Sequence, residues 1–211
     1  MTAGSATSSG TRTRAKRGEG EKLRDEILVV AERLLGEVGS KDGVSIRAIA
    51  DACGVTPPAI YMHFADKDQL FLEVCSMRFR EMDAWIGEAA RRAPDDPLES
   101  LRVMGEAYIR FGVDHPEAYR LLMMTLHEGR IDEPGMEAGR DSFMHLVQAV
   151  DRCVKAGVLG DADPYETSLI LWSGIHGLTS LFISFPSFEW GDKPALVDHL
   201  MDVMIEGLLS V

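Results

Sequence analysis

The chain has 211 residues, 45% hydrophobic and 27% charged, which suits one large domain or two. Its three cysteines, Cys53, Cys75 and Cys153, are odd in number, far apart and in no metal-ligand spacing. They exclude a disulfide framework and read as small buried hydrophobes in a reducing cytoplasm, with no metal and no cofactor expected. The net charge of −12 excludes a uniformly basic, nucleoid-type protein, but it is unevenly spread: the first 68 residues hold 10 Lys and Arg against 10 Asp and Glu, the rest 12 against 24.

Met1 to Gly20 is rich in Ser, Thr and Gly, has no apolar signal-peptide core and is expected to be disordered. Residues 1–24 carry a net charge of +4, so this segment reads either as an arm that lies along a DNA groove or as a solubilising tail. Leu23, Ile27, Val30, Ala31, Leu34, Leu35 and Val38 then trace one helical stripe, which Gly39 ends.

The stretch from Ser45 to Leu70 is the most informative. Ile46, Ile49 and Ala50 fall at helical spacing behind Ser45 as N-cap, and Gly54 offers a left-handed stop. Val55 is expected to fill the angle between two helices. Thr56 is placed as the next cap, with Pro57 and Pro58 in a first turn where N–H groups have no helical partner. Ile60 and Phe64 face inward, and Asp66 with Gln69 opens a third helix in a capping-box pattern. Two short helices joined by a Gly-containing turn are a helix-turn-helix, whose second helix presents its N-terminal residues to DNA.

The motif I-A-D-A-C-G-V-T-x-x-A-I-Y-x-H-F-x-x-K-x-x-L, Ile49 to Leu70, resembles the DNA-binding head of the TetR family of bacterial transcriptional repressors. That resemblance implies a phosphate clamp of Tyr61, His63 and Lys67. Lys67 would lie in the first turn of its helix, where the helix dipole favours an anion. Ser45 and Arg47 are candidates for backbone or base contact. The open face of the second helix holds Thr56, Pro57, Pro58, Ala59 and Met62, with no Arg, Asn, Gln or Lys between Thr56 and His63. Those are the side chains that make bidentate base contacts, so readout by thymine methyl groups and DNA shape is expected.

Beyond the head the periodicity predicts only helices, for an all-α fold of about nine. The expected division is a basic arm at 1–20, a helix-turn-helix domain at 21–68 and a ligand-binding and dimerisation body at 69–211. A long helix is predicted from Lys67 to about Arg92, with Leu70, Phe71, Val74, Cys75, Met82, Trp85 and Ile86 inward. Ser168 to Phe188 runs 21 residues without Asp, Glu, Lys or Arg. Its five serines and unflanked ends argue against a membrane span and for a helix covered on both sides. With the final helix, about Pro194 to Leu209, it has more apolar surface than one subunit hides, which predicts a homodimer through the two C-terminal helices. Trp172 to Leu178, W-S-G-I-H-G-L, resembles a Trp-His-Gly signature of one branch of TetR C-terminal domains.

The resemblance implies a small-molecule pocket in the body. Met104, Tyr108, Phe111, Tyr119, Met123, Phe143 and Trp172 are candidate lining residues, with His127 and His176 as candidate polar anchors. The stripes that contain them read equally well as ordinary core. A Met-rich lining suits a hydrophobic effector. There is no Gly-rich phosphate loop, H-E-x-x-H or nucleophile elbow, so no catalytic residues and no enzyme are expected. The reading is a cytoplasmic, ligand-responsive repressor that binds a palindromic duplex operator as a homodimer. The alternative is a TetR-like activator or a ligand-independent regulator.

Overall fold

The computed structural model describes residues 19–125 and 137–209, and among them every regular element is helical. The first helix, α1, spans Glu19–Val38, so the last two residues of the expected arm belong to it, and the rest of the arm lies outside the described residues. Ile27, Ala31 and Leu35 of its stripe are at most 2% exposed, whereas Val38 ends the helix half-exposed in solvent.

Three further helices complete the head. Ser45 accepts a bond from the Ala48 N–H at 3.1 Å and starts α2, Ile46–Ala52. Gly54 has φ +64°, and the Val55 N–H reaches back to the Ala50 carbonyl at 2.9 Å, the six-to-one bond of a Schellman stop. Val55 is half-buried against the core. The short helix α3 is Pro57–Tyr61. Thr56 occupies its N-cap position, but contrary to expectation its side chain makes no capping bond. The cause is local: Pro57 and Pro58 have no N–H to offer, and the Ala59 N–H bonds the Thr56 carbonyl at 2.8 Å instead. Asp66 caps α4, Lys67–Arg92, by accepting from the Gln69 N–H at 2.7 Å. The Gln69 side chain accepts from Ala65, one residue before the position a strict capping box uses, at 2.6 Å.

The body follows as α5 (Pro97–Asp114), α6 (Pro116–Arg120), a π-helical turn (Leu121–Thr125), α7 (Glu137–Lys155), α8 (Pro164–Ser184) and α9 (Lys193–Leu209). Asp96 and Asp163 cap α5 and α8, each followed by Pro at the first helical position. The central helix is α5, which packs on α4, α7, α8 and α9. Gly112 permits the closest approach: a Cβ there would lie 2.3 Å from Thr179 Cγ2 and 2.9 Å from Tyr119.

Trp85 departs from its predicted inward position. It is 38% exposed and sets its ring edge-on to Phe111 and His115, at 6.3 and 5.6 Å. Phe79, absent from the predicted stripe, is 5% exposed in its place.

Among the described residues, α8 is the one helix long and apolar enough to cross a membrane by length and composition. Its inner face, Leu171, Ile175, Thr179, Phe182 and Ile183, is buried in the protein core. The buried hydroxyls of Ser168 and Thr179 donate to the carbonyls of Pro164 and Ile175, both at 2.6 Å, so no polar group there is left unpaired. The outer face keeps Ile170 58% and Leu181 44% exposed, and Val203 of α9 is 54% exposed.

Candidate functional site

Two surfaces carry the candidate residues. In the head, Ile60 and Phe64 are buried at 0% and 1% exposure and fix the orientation of α3 on α1 and α4. That leaves Thr56, Pro58, Tyr61 and Met62 outward, with Pro57, Ala59 and His63 partly covered. Met62 is 84% exposed and so presents its whole side chain to a partner. The Arg47 side chain is 86% exposed and only 4.0 Å contact with Asp51 restrains it. Ser45 spends one lone pair on its cap and keeps its hydroxyl hydrogen for another acceptor.

Lys67 has a role that the sequence did not disclose. Its ammonium donates to the carbonyls of Lys41 at 3.0 Å and Val44 at 3.3 Å, tying the loop before α2 to the start of α4. An ammonium has three hydrogens, so one remains for a phosphate. Ion pairs fasten α1 to α4, the helix that runs on from the head toward the body. Arg78 pairs with Glu32 and Glu81, and Arg24 pairs with Glu73 while lying 5.3 Å over the Phe64 ring. The Arg78 guanidinium is held in its charged form first by its bonds to Glu32.

In the body a cavity of about 640 Å³ lies between α4, α5, α7, α8 and α9, within the range of small-molecule sites. Of the candidate lining residues, Met104, Tyr108, Met123, Phe143 and Trp172 stand in its wall. Phe111, Tyr119 and His176 do not, and His127 lies outside the described residues. Phe111 is 0% exposed and packs instead toward Trp85 and His115. The sequence reading missed Phe79, Ile175, Tyr165, Met201 and Ile205, which complete the apolar wall. Ile175, Met201 and Ile205 lay in visible apolar stretches and Phe79 and Tyr165 did not; that all five converge on one space depends on how separate helices pack.

Tyr119 and His176 form a polar layer behind that wall. The Tyr119 hydroxyl lies 2.6 Å from His176 Nδ1, the Tyr108 hydroxyl 3.2 Å from both, and the Trp172 N–H donates to Tyr108 at 3.2 Å. Burial lowers the His176 pKa, which favours the neutral ring. We assign Nδ1 as the acceptor of the Tyr119 hydroxyl, the tautomer that leaves Nε2–H for the Ser180 hydroxyl, 3.3 Å away. The chain of donors then runs Trp172 to Tyr108 to Tyr119 to His176. Burial raises both tyrosine pKa values, that of Tyr108 well above the usual phenol range, so both stay neutral.

The thiols are poor candidates for chemistry. Burial raises all three pKa values, that of Cys75 up to about 12, and among the described residues no group of three His, Cys, Asp or Glu could hold a metal.

This architecture has known counterparts. The N-terminal model of the bacterial regulatory proteins of the tetR family matches residues 27–74, and the tetracyclin repressor-like C-terminal domain matches 101–208. The chain is 27% identical over 185 residues to the HTH-type transcriptional regulator AcrR of Shigella flexneri, covering 83% of this chain and 86% of that one. It is 27% identical over 113 residues to the HTH-type transcriptional activator FasR of Mycolicibacterium smegmatis, covering 54% of this chain and 51% of that one. A solved Rhodococcus structure of unknown function has the same fold, with a TM-score of 0.78 at 24% identity over 95% of this chain and 99% of that one. With the head and the body each matched in turn, the chain belongs to the TetR family and is a transcriptional regulator of the helix-turn-helix type.

Proposed function

We propose that the protein is a cytoplasmic repressor that binds a palindromic operator as a homodimer and leaves it when a small hydrophobic effector enters the body. The observation that carries this reading is α4. One helix starts at Lys67 in the DNA-binding head and, sixteen residues on, places Asp83 and then Ile86 in the cavity wall. A ligand that favours one tilt of α4 therefore favours one separation of the two recognition helices. DNA affinity falls by the ligand's differential affinity for the two states, typically ~1–3 kcal/mol.

The DNA contacts are assigned to Tyr61, His63 and Lys67 for phosphate, with Ser45 and Arg47 beside them. Thr56, Pro57, Pro58, Ala59 and Met62 face the bases. Met104, Tyr108, Met123, Phe143 and Trp172 contact the effector. Phe111, Tyr119 and His176 act at most from behind the wall. The exposed apolar residues of α8 and α9 are assigned to the dimer interface. A second reading, activation, is favoured by the relative FasR, whose name is that of an activator. The operator's place relative to the promoter decides between the two.

Selection of random duplex DNA on the purified protein, followed by sequencing, tests the proposal. Enrichment of a palindrome with T-rich half-sites supports dimeric binding and apolar readout. No enrichment, with Tyr61→Ala binding DNA as well as the parent, overturns it.

A further inference from the structure

We infer that the cavity takes an organic monoanion, an apolar body ending in one carboxylate, which Arg152 and Gln148 hold at the rim. This rests on the reading of the body as an effector site and adds the chemical class of the effector. The warrant is an accounting of the wall's polar groups. At depth, the Trp172 N–H and the Tyr108 hydroxyl are committed to each other and to Tyr119. That end asks no polar group of a ligand, and Met104, Ile175 and Met201 around it accept only apolar surface. Nearer solvent, Asp83 is bound to His145 at 2.7 Å, Arg91 pairs with Glu88, and Arg140 lies 3.9 Å from Glu137.

Among the described residues four polar side chains of the wall have no hydrogen-bond or ion-pair partner, Gln148, Arg152 and the hydroxyls of Ser142 and Tyr165, and of these Arg152 alone is charged. Among the described residues, Arg152 has no carboxylate within ion-pair distance, and the Gln148 amide has no side-chain or backbone partner. They stand four residues apart on α7, one above the other on the same face, and both are exposed. A guanidinium beside an amide N–H is a match for a single carboxylate. Arg91 and Arg140 are offset by Glu88 and Glu137, so Arg152 is the one wall arginine without a carboxylate partner among the described residues. A guanidinium left uncompensated at the opening draws in anions and disfavours cations.

The test keeps one tail and changes the head. Decanoate, 1-decanol and decyltrimethylammonium, each below its critical micelle concentration, are titrated into the intact dimer by calorimetry. Decanoate is expected to bind about fivefold more tightly than decanol, the strength of an exposed ion pair, with the ammonium weakest. Arg152→Gln is expected to bring decanoate to the affinity of decanol without changing decanol itself, which also reports that the fold is intact. Arg152→Glu is expected to invert the order of the two ions. Equal or tighter binding of decanol by the parent, an unchanged preference in Arg152→Gln, or no binding of any of the three overturns the inference. Operator release, followed in parallel by fluorescence anisotropy, judges the underlying reading separately. If decanol binds and releases DNA as well as decanoate does, the effector site stands and the charge preference falls. If no compound of a broad hydrophobic panel changes DNA affinity, the effector reading falls with it.

Discussion

Tyr61 and Lys67 belong to one proposed clamp, yet they are held very differently, and substitution separates their roles. Tyr61 is 53% exposed, so Tyr61→Ala is expected to weaken operator binding about fivefold, as the loss of one hydrogen bond of ~1 kcal/mol does, and to leave the thermal midpoint unchanged. Lys67→Ala removes the proposed phosphate contact and also the two bonds to the Lys41 and Val44 carbonyls. It is expected to lower both DNA affinity and stability, the latter by ~1–2 kcal/mol, a drop of several degrees in a melting scan. Neither change should alter which sequence is preferred, because phosphate contacts position the protein and base contacts specify. His176 gives a pH signature at the same scale. Its folded pKa lies below the ordinary 6.5 because the ring is buried. Between those two values the unfolded chain binds a proton that the folded chain refuses. Stability is therefore expected to be full above about pH 7, to fall as the pH drops through ~6.5, and to level off below the folded value. Urea midpoints measured from pH 7.5 to 5 check this, and His176→Gln is expected to flatten the slope.

Helices are the scale at which small residues matter. The approach of α5 to α8 and to α6 rests on Gly112, where a Cβ would meet Thr179 Cγ2 and the Tyr119 ring. Both of those residues are 0% exposed, and Thr179 is β-branched with its hydroxyl tied to Ile175, so neither can yield. Gly112→Ala is expected to cost ~1–3 kcal/mol by overpacking, read as a fall in the unfolding midpoint. Gly105 offers a control on the same helix. A Cβ there would lie 2.6 Å from Met201 Cε, the end of a flexible side chain, so Gly105→Ala is expected to cost clearly less. An equal cost at the two sites would mean that the helices shift as a unit and do not resist locally. Capping shows the same dependence on neighbours. Ser45 caps α2 as its type suggests, but Thr56 does not cap α3, because Pro57 and Pro58 leave only the Ala59 N–H in the first turn and that bonds the Thr56 carbonyl.

For the molecule as a whole, charge and apolar surface divide the work. Acidity is confined to the body, so the head is the surface on which DNA can settle. The body in turn leaves Ile170, Leu181 and Val203 exposed on α8 and α9, the faces assigned to the second subunit. The double substitution Leu181→Arg with Val203→Arg is expected to give a folded monomer by sedimentation. Its operator affinity is expected to fall at least about a hundredfold, because the two heads no longer bind as one bivalent unit. A double variant that still sediments as a dimer would move the interface elsewhere.

The sequence by itself determined the helices of the head, their stops and the helix-turn-helix, because each depends on a few neighbouring residues: an apolar stripe of helical period, a cap, a glycine or a proline; in the body α8 starts at Pro164 and ends at Ser184, four residues before each end of the charge-free stretch. The sequence also placed the exposed face of α3, since Ile60 and Phe64 fix by spacing which residues remain outside. Only the tertiary structure decided which inward residues meet a neighbour and which meet a cavity. Met104, Tyr108 and Phe111 lie on one stripe of α5, yet the first two line the cavity and the third is sealed in the core. Periodicity tells which face of a helix turns inward. Whether that face finds packed side chains or open space is set by five helices far apart in sequence, as are the bonds that tie Lys67 to a loop and the lack, among the described residues, of a carboxylate partner for Arg152.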